Sequence, residues 1–290
     1  MEWMIRCFPA PLRQELLSLR LEMISDIRLF ADRPCLIRGD GGECVLSYIP
    51  AADDLFEIAQ ALCGRMLRLS PAATGEGYIA LQGGHRMGLC GRVEQTGEGL
   101  LLRGLGSLCI RVAHQVPGCG RKLAELLEQG GGLLIVGEPG SGKTTLLRDT
   151  VRLLSEAGRI VGLADERSEV AACLDGVPQL DVGMRTHVVD GCRKADGLRW
   201  LLRAMSPQLL ATDELFGEAD CQAVREAAAC GVPVLATAHA GSAKELCARS
   251  GIRTLLMEGL VKRVVFLHRH KLIMTLMAKE TLEAACWERS

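Results

Sequence analysis

The chain has 290 residues, 48% of them apolar and 24% charged, with a formal net charge of -1. This balance suits a globular protein with a sizeable core and room for two domains, and bulk charge gives no argument for nucleic acid or an anionic membrane surface. Residues 1–17 carry charges every few positions and lack the apolar run of a signal peptide, and no window reaches the roughly 18 uncharged apolar residues of a spanning helix, so any service to a membrane is expected from the cytoplasm, by docking.

Up to residue 115 the pattern predicts an N-terminal α+β domain. Asp26–Phe30 and Pro34–Arg38 alternate as short strands, GDGG (39–42) is turn chemistry, and CVLSYI (44–49) reads as a third strand. Asp53 opens a helix that places Leu55, Ile58, Ala59, Leu62, Met66 and Leu69 on one face. Residues 77–113 form glycine-punctuated strand, with turns at Gly83-Gly84 and Thr96–Gly99. Residues 116–132 join this small, helix-covered sheet to a second domain, 116–290. There LLIVG (133–137), IVGLA (160–164), QLLAT (208–212), VPVLAT (232–237) and VVFLH (264–268) are apolar runs, mostly without alternation. Strands buried on both faces look like this, which predicts a parallel sheet with helices on each side. Gly158 stands where a helix C-terminus belongs. The thirteen cysteines contain no C-x-x-C pair and are odd in number, so they read as small buried hydrophobes in a reducing compartment, not as disulfides or zinc ligands.

GEPGSGKTT, Gly137, Glu138, Pro139, Gly140, Ser141, Gly142, Lys143, Thr144 and Thr145, follows LLIVG and matches G-x-x-x-x-G-K-[ST]. Its glycines let the backbone wrap a polyphosphate, the following helix adds its positive end, Lys143 reaches the β and γ phosphates, and Thr144 can ligate Mg²⁺. ATP with Mg²⁺ is therefore the expected ligand. QLLATDEL supplies Asp213 at a strand end, to hold the metal, and Glu214 beside it as candidate base. Asp165, Glu166 and Glu169 in ADERSE end the strand after the P-loop helix, and His239 in TAHAGSA ends the strand after Asp213; all are expected to face the phosphates.

In order and spacing, GEPGSGKTT, LADERSE, MSPQLLATDEL and TAHAGSA resemble the four boxes of the secretion ATPase superfamily, the motors of type II and type IV secretion and of pili. A similarity covering nearly the whole chain is to the stage III sporulation AA family of endospore formers, carried by GGHRMGLCGRV (83–93), residues 165–192 and SPQLLATDE (206–214). The resemblance implies a RecA-like P-loop ATPase core with a smaller N-terminal α+β domain, assembled as a homo-oligomer, a hexameric ring. It also implies a cytoplasmic, membrane-peripheral place on the mother-cell side, with membrane-embedded sporulation channel proteins as partners. Carried over by position, Glu214 matches the catalytic glutamate, His239 the histidine box, and Asp165, Glu166 and Glu169 the aspartate box. Arg185 is the candidate for an arginine reaching a neighbour's site, with Arg203 second. Where the sporulation family reads Asp-Glu-Ile-Gly-Arg this chain has Phe216-Gly217 in the last two places, and the tetracysteine zinc site of many secretion motors is not visible.

Two further classes stay open on sequence. A nucleic-acid translocase or RNA-binding ATPase would want a basic stripe and stacking aromatics; cations are scattered and aromatics are 3%, so no nucleic acid is expected. A nucleotide-gated scaffold with little turnover is the other, favoured by Phe216-Gly217.

Overall fold

The computed structural model describes residues 1–39, 41–64, 78–97, 99–268 and 273–276, and the chain divides into two compact units, Met1–His114 and Gln115–Ser290. The first unit runs α1 (Glu2–Arg6), α2 (Ala10–Leu17), β1 (Ile24–Phe30), β2 (Arg33–Gly39), β3 (Gly42–Val45), α3 (Ala52–Cys63), β4 (Tyr78–Ala80), β5 (Arg86–Thr96) and β6 (Gly99–Arg111). Its strands pair antiparallel in the order β3-β2-β1-β6-β5-β4. Alternate residues on the strands, among them Ile27, Leu29, Ile37, Met87, Leu108 and Ile110, bury one face against Met4, Leu12, Leu16, Leu55 and Ile58 of the helices.

Two expectations shift here. The regular ladder of the strand expected over 44–49 ends at Val45: Leu46 N–H still donates to the Cys35 carbonyl at 2.9 Å and the Tyr48 carbonyl accepts the Cys35 N–H at 3.2 Å, but between them Glu15 of α2 takes both the backbone N–H and the hydroxyl of Ser47 at 2.7 Å. Asp54, rather than Asp53, secures the start of α3 by accepting the Ala51 N–H at 2.8 Å. That helix ends on the left-handed Gly64, and the expected face residues Met66 and Leu69 lie outside the described residues.

The second unit comprises α4 (Arg121–Glu128), β7 (Gly132–Gly137), α5 (Lys143–Glu156), β8 (Val161–Asp165), β9 (Thr186–Asp190), α6 (Lys194–Ala204), β10 (Leu209–Thr212), α7 (Glu218–Ala229), β11 (Val234–Ala238), α8 (Ala243–Cys247), α9 (Ser250–Met257), β12 (Val261–His268) and β13 (Ile273–Leu276). Strand order is β13-β12-β7-β11-β10-β8-β9; β13 is antiparallel and every other pairing is parallel. The missing alternation has a plain cause. On β7, Leu134 and Val136 pack with Leu198, Leu201, Val224 and Leu255 of α6, α7 and α9. Leu133 and Ile135 pack with Leu123, Leu127, Leu147 and Val151 of α4 and α5 on the opposite face. Strand β9 was not among the sequence expectations.

This order places β11 and β10 between β7 and β8, so the chain skips two places after the P-loop helix. The carboxyl ends of β7, β11, β10 and β8 therefore stand side by side, where open α/β sheets hold their ligands.

Candidate active site

Gly137 closes β7 where a Cβ would stand 2.7 Å from Ser141 Oγ and 2.8 Å from the Leu267 carbonyl, so a glycine is needed. Gly140 (φ 72°) and Gly142 (φ 94°) then adopt left-handed backbone, bending the loop back onto α5. Glu138, Pro139 and Gly140 are exposed, Thr144 and Thr145 half-buried. Ser141 is buried, its hydroxyl without a hydrogen-bond partner among the described residues. Lys143, 5% exposed, donates to the Gly137 carbonyl at 3.0 Å, the Glu138 carbonyl at 2.9 Å and His239 Nδ1 at 3.0 Å. All the ammonium hydrogens are thus engaged. Burial pulls the Lys143 pKa down, opposed by the charges of Asp213 and Glu214.

Asp213 leaves β10 with each oxygen occupied: Thr144 Oγ1 donates to Oδ2 at 2.9 Å and Thr237 Oγ1 donates to Oδ1. Next to it Glu214 is left-handed, with φ 47°. His239, directly after β11, sets Nε2 3.1 Å from Glu214 Oε1. With Nδ1 accepting from the Lys143 ammonium, the ring proton belongs on Nε2 and is donated to Glu214, an assignment made from the partners. Lys143, His239 and Glu214 thus form one hydrogen-bonded chain across β7, β11 and β10.

The acidic segment behaves differently from its expectation. Asp165, 1% exposed, does not aim at the phosphates: its carboxylate accepts the backbone N–H of Glu169, Val170 and Ala171 at 2.9, 3.1 and 2.8 Å. Burial raises its pKa against the pull of these donors. From α5, the Arg148 guanidinium donates to the carbonyls of Val170 at 2.5 Å and Glu169 at 2.9 Å, so carboxylate and guanidinium clamp the same turn. Of the other two acids, Glu166 pairs with Lys194 at 3.3 Å, while Glu169 enters through its backbone groups. Arg167 approaches Glu214 Oε2 at 3.9 Å.

Arg185 precedes β9 and hydrogen-bonds Ser155 near the end of α5 through its N–H at 2.8 Å and its guanidinium at 3.3 Å, while its carbonyl accepts from Val161 at the start of β8. That is the amino end of the sheet, opposite this chain's own P-loop, and Arg203 near the end of α6 lies toward the same rim. Phe216 is 77% exposed, and Asp220 accepts the N–H groups of Phe216 at 3.1 Å and Gly217 at 3.3 Å to start α7.

Sequence reading missed Lys194, Thr237 and Arg148. Lys194 carried a signal, a cation in the first turn of a helix, where the dipole disfavours it. Thr237 stands inside TAHAGSA, and Arg148 shares its helix face with Thr144, Thr145 and Arg152, where a cation gives no separate signal. Among the described residues there is no group of three or more His, Cys, Asp or Glu able to hold a metal, and no helix long and apolar enough to cross a membrane.

A glycine loop between an inner strand and a helix, with a carboxylate ending the strand two places away in a sheet of mostly parallel strands, defines a P-loop protein of RecA-like fold. Solved structures agree on that fold. The Legionella pneumophila ATPase DotB superposes with a TM-score of 0.57 over 89% of this chain and 76% of its own, and the pilus retraction motor PilT with bound ADP with 0.60 over 88% and 76%, each 18% identical. Within that class the particular family follows from sequence: residues 4–277 match the model of sporulation stage III, protein AA, and the chain belongs to that family. Stage III sporulation protein AA of Bacillus subtilis (strain 168) is 38% identical over 256 residues, 86% of this chain and 83% of the relative.

Proposed function

We propose that this chain is an ATP hydrolase of the secretion-motor kind, working as a homo-oligomeric ring that powers or assembles the channel complex between mother cell and forespore. The observation that carries the reading is the contact chain Lys143–His239–Glu214 beside the pair Thr144–Asp213. Lys143 meets the terminal phosphates, and in doing so gives up part of its hold on His239, the only one of its three acceptors that is a side chain. Glu214 orients the attacking water, and His239 bridges base and phosphate-binding lysine. Thr144 Oγ1 and Asp213 Oδ2, 2.9 Å apart, are hard oxygen donors that suit Mg²⁺ and would hold it; the ion would neutralise charge on the phosphate oxygens. The buried, unpartnered Ser141 hydroxyl inside the glycine loop fits a site built for phosphate. Because Arg185 and Arg203 lie toward the far end of the sheet, either would serve a neighbouring subunit's site and not its own, which would tie turnover to assembly.

The test is Glu214→Gln. ATP binding is expected to stay within about threefold of wild type while turnover falls by about 10²-fold or more, the scale of a general base. Equal turnover in the variant and the wild type would overturn the reading.

A further inference from the structure

We propose that Lys194 and Thr237 are positioning residues that hold Glu214 in a backbone conformation it would not adopt by itself. The inference rests on the hydrolytic reading of Glu214 and adds to it the parts that aim the carboxylate. At φ 47° a residue with a Cβ is strained, and such strain survives only where surrounding groups over-determine it. Three contacts do so here. Thr237 Oγ1 accepts the Glu214 N–H at 2.8 Å, the Thr237 carbonyl accepts the Leu215 N–H at 2.8 Å, and Lys194 Nζ donates to the Glu214 carbonyl at 2.8 Å.

Both residues also reach a second part of the site. The same Thr237 hydroxyl donates to Asp213, so one fully buried atom sets the metal-side carboxylate and the backbone of the base together. Lys194, with a side chain 13% exposed, also pairs with Glu166, so it links the acidic turn to the base. A lysine beginning α6 works against the helix dipole, and its near-buried ammonium needs anionic or carbonyl partners to compensate; the Glu214 carbonyl and Glu166 supply them. Without these ties the backbone at 214 would relax toward negative φ, and the carboxylate would swing away from His239 Nε2.

The experiment compares Thr237→Val with Thr237→Ser, and Lys194→Met with Lys194→Arg, with Glu214→Gln as reference. ATP hydrolysis and affinity for a fluorescent ATP analogue are followed together with hydrogen exchange of the peptide spanning Asp213–Gly217. Thr237→Val and Lys194→Met are expected to lower kcat by about 10- to 100-fold, the cost of a misplaced catalytic group, with KM and analogue affinity within about threefold. Thr237→Ser restores most of kcat. Exchange in the 213–217 peptide speeds up at least about tenfold in Thr237→Val and not elsewhere in the sheet, since the Glu214 amide loses its acceptor. Unchanged kcat and unchanged exchange in both truncations overturn the inference and leave hydrolysis standing if Glu214→Gln is dead. If wild type itself does not turn over, the hydrolytic reading falls, and the exchange result still decides whether Thr237 and Lys194 hold Glu214.

Discussion

Replacing Asp165 with alanine separates a residue that holds structure from one that binds nucleotide. Its carboxylate accepts the amides of Glu169, Val170 and Ala171, and the last two residues are buried. An amide left without an acceptor inside a protein costs about 1–3 kcal/mol. Glu169 is exposed and its amide regains water, so two full penalties remain, about 4 kcal/mol. Burial raises the pKa of this carboxylate, so its removal also relieves some desolvation, and the net loss falls below about 4 kcal/mol. Asp165→Asn keeps an oxygen facing the Val170 and Ala171 amides and loses only the contact to Glu169, so about 1 kcal/mol is expected. Urea denaturation at pH 7, followed by circular dichroism, measures both differences. A loss below about 1 kcal/mol in Asp165→Ala together with abolished ATP-analogue binding would refute the reasoning, because it would place this carboxylate at the ligand instead of beneath the loop.

At position 214 the left-handed backbone reverses the usual ranking of small residues: Glu214→Gly is expected to be more stable than Glu214→Ala by about 1 kcal/mol in thermal melts, and the opposite order would contradict φ 47°. In the first unit, burial, with help from the N-terminal amine and His114, drives the His85 pKa down to about 4. Between the ordinary histidine value and that pH the unfolded chain binds a proton the folded one refuses. His85 therefore costs stability as pH falls through this window, about 3 kcal/mol in all by pH 4. Denaturation of wild type and His85→Gln from pH 7.5 to 4 reads this out as a gap that closes or reverses on acidification; a constant gap would sink it.

By itself the sequence determined the local chemistry. GEPGSGKTT after an apolar strand, the acidic pairs at strand ends and the histidine of TAHAGSA are contiguous patterns, and unalternating apolar runs implied a sheet covered on both faces. What escaped it was non-local. Strand β9, THVVD, is short and partly exposed, so its pattern carries no buried signature. In CVLSYI the regular ladder breaks around Ser47, which Glu15, 32 positions away, captures. Asp165 looked like its neighbours in ADERSE, yet only the folded turn supplies the amides that claim it. The tertiary structure alone decided that β11 and β10 enter between β7 and β8, because which parallel strands become neighbours depends on how crossover helices pack, and no periodicity encodes that. That order brings Lys143, His239 and Glu214, far apart in the chain, within hydrogen-bonding reach.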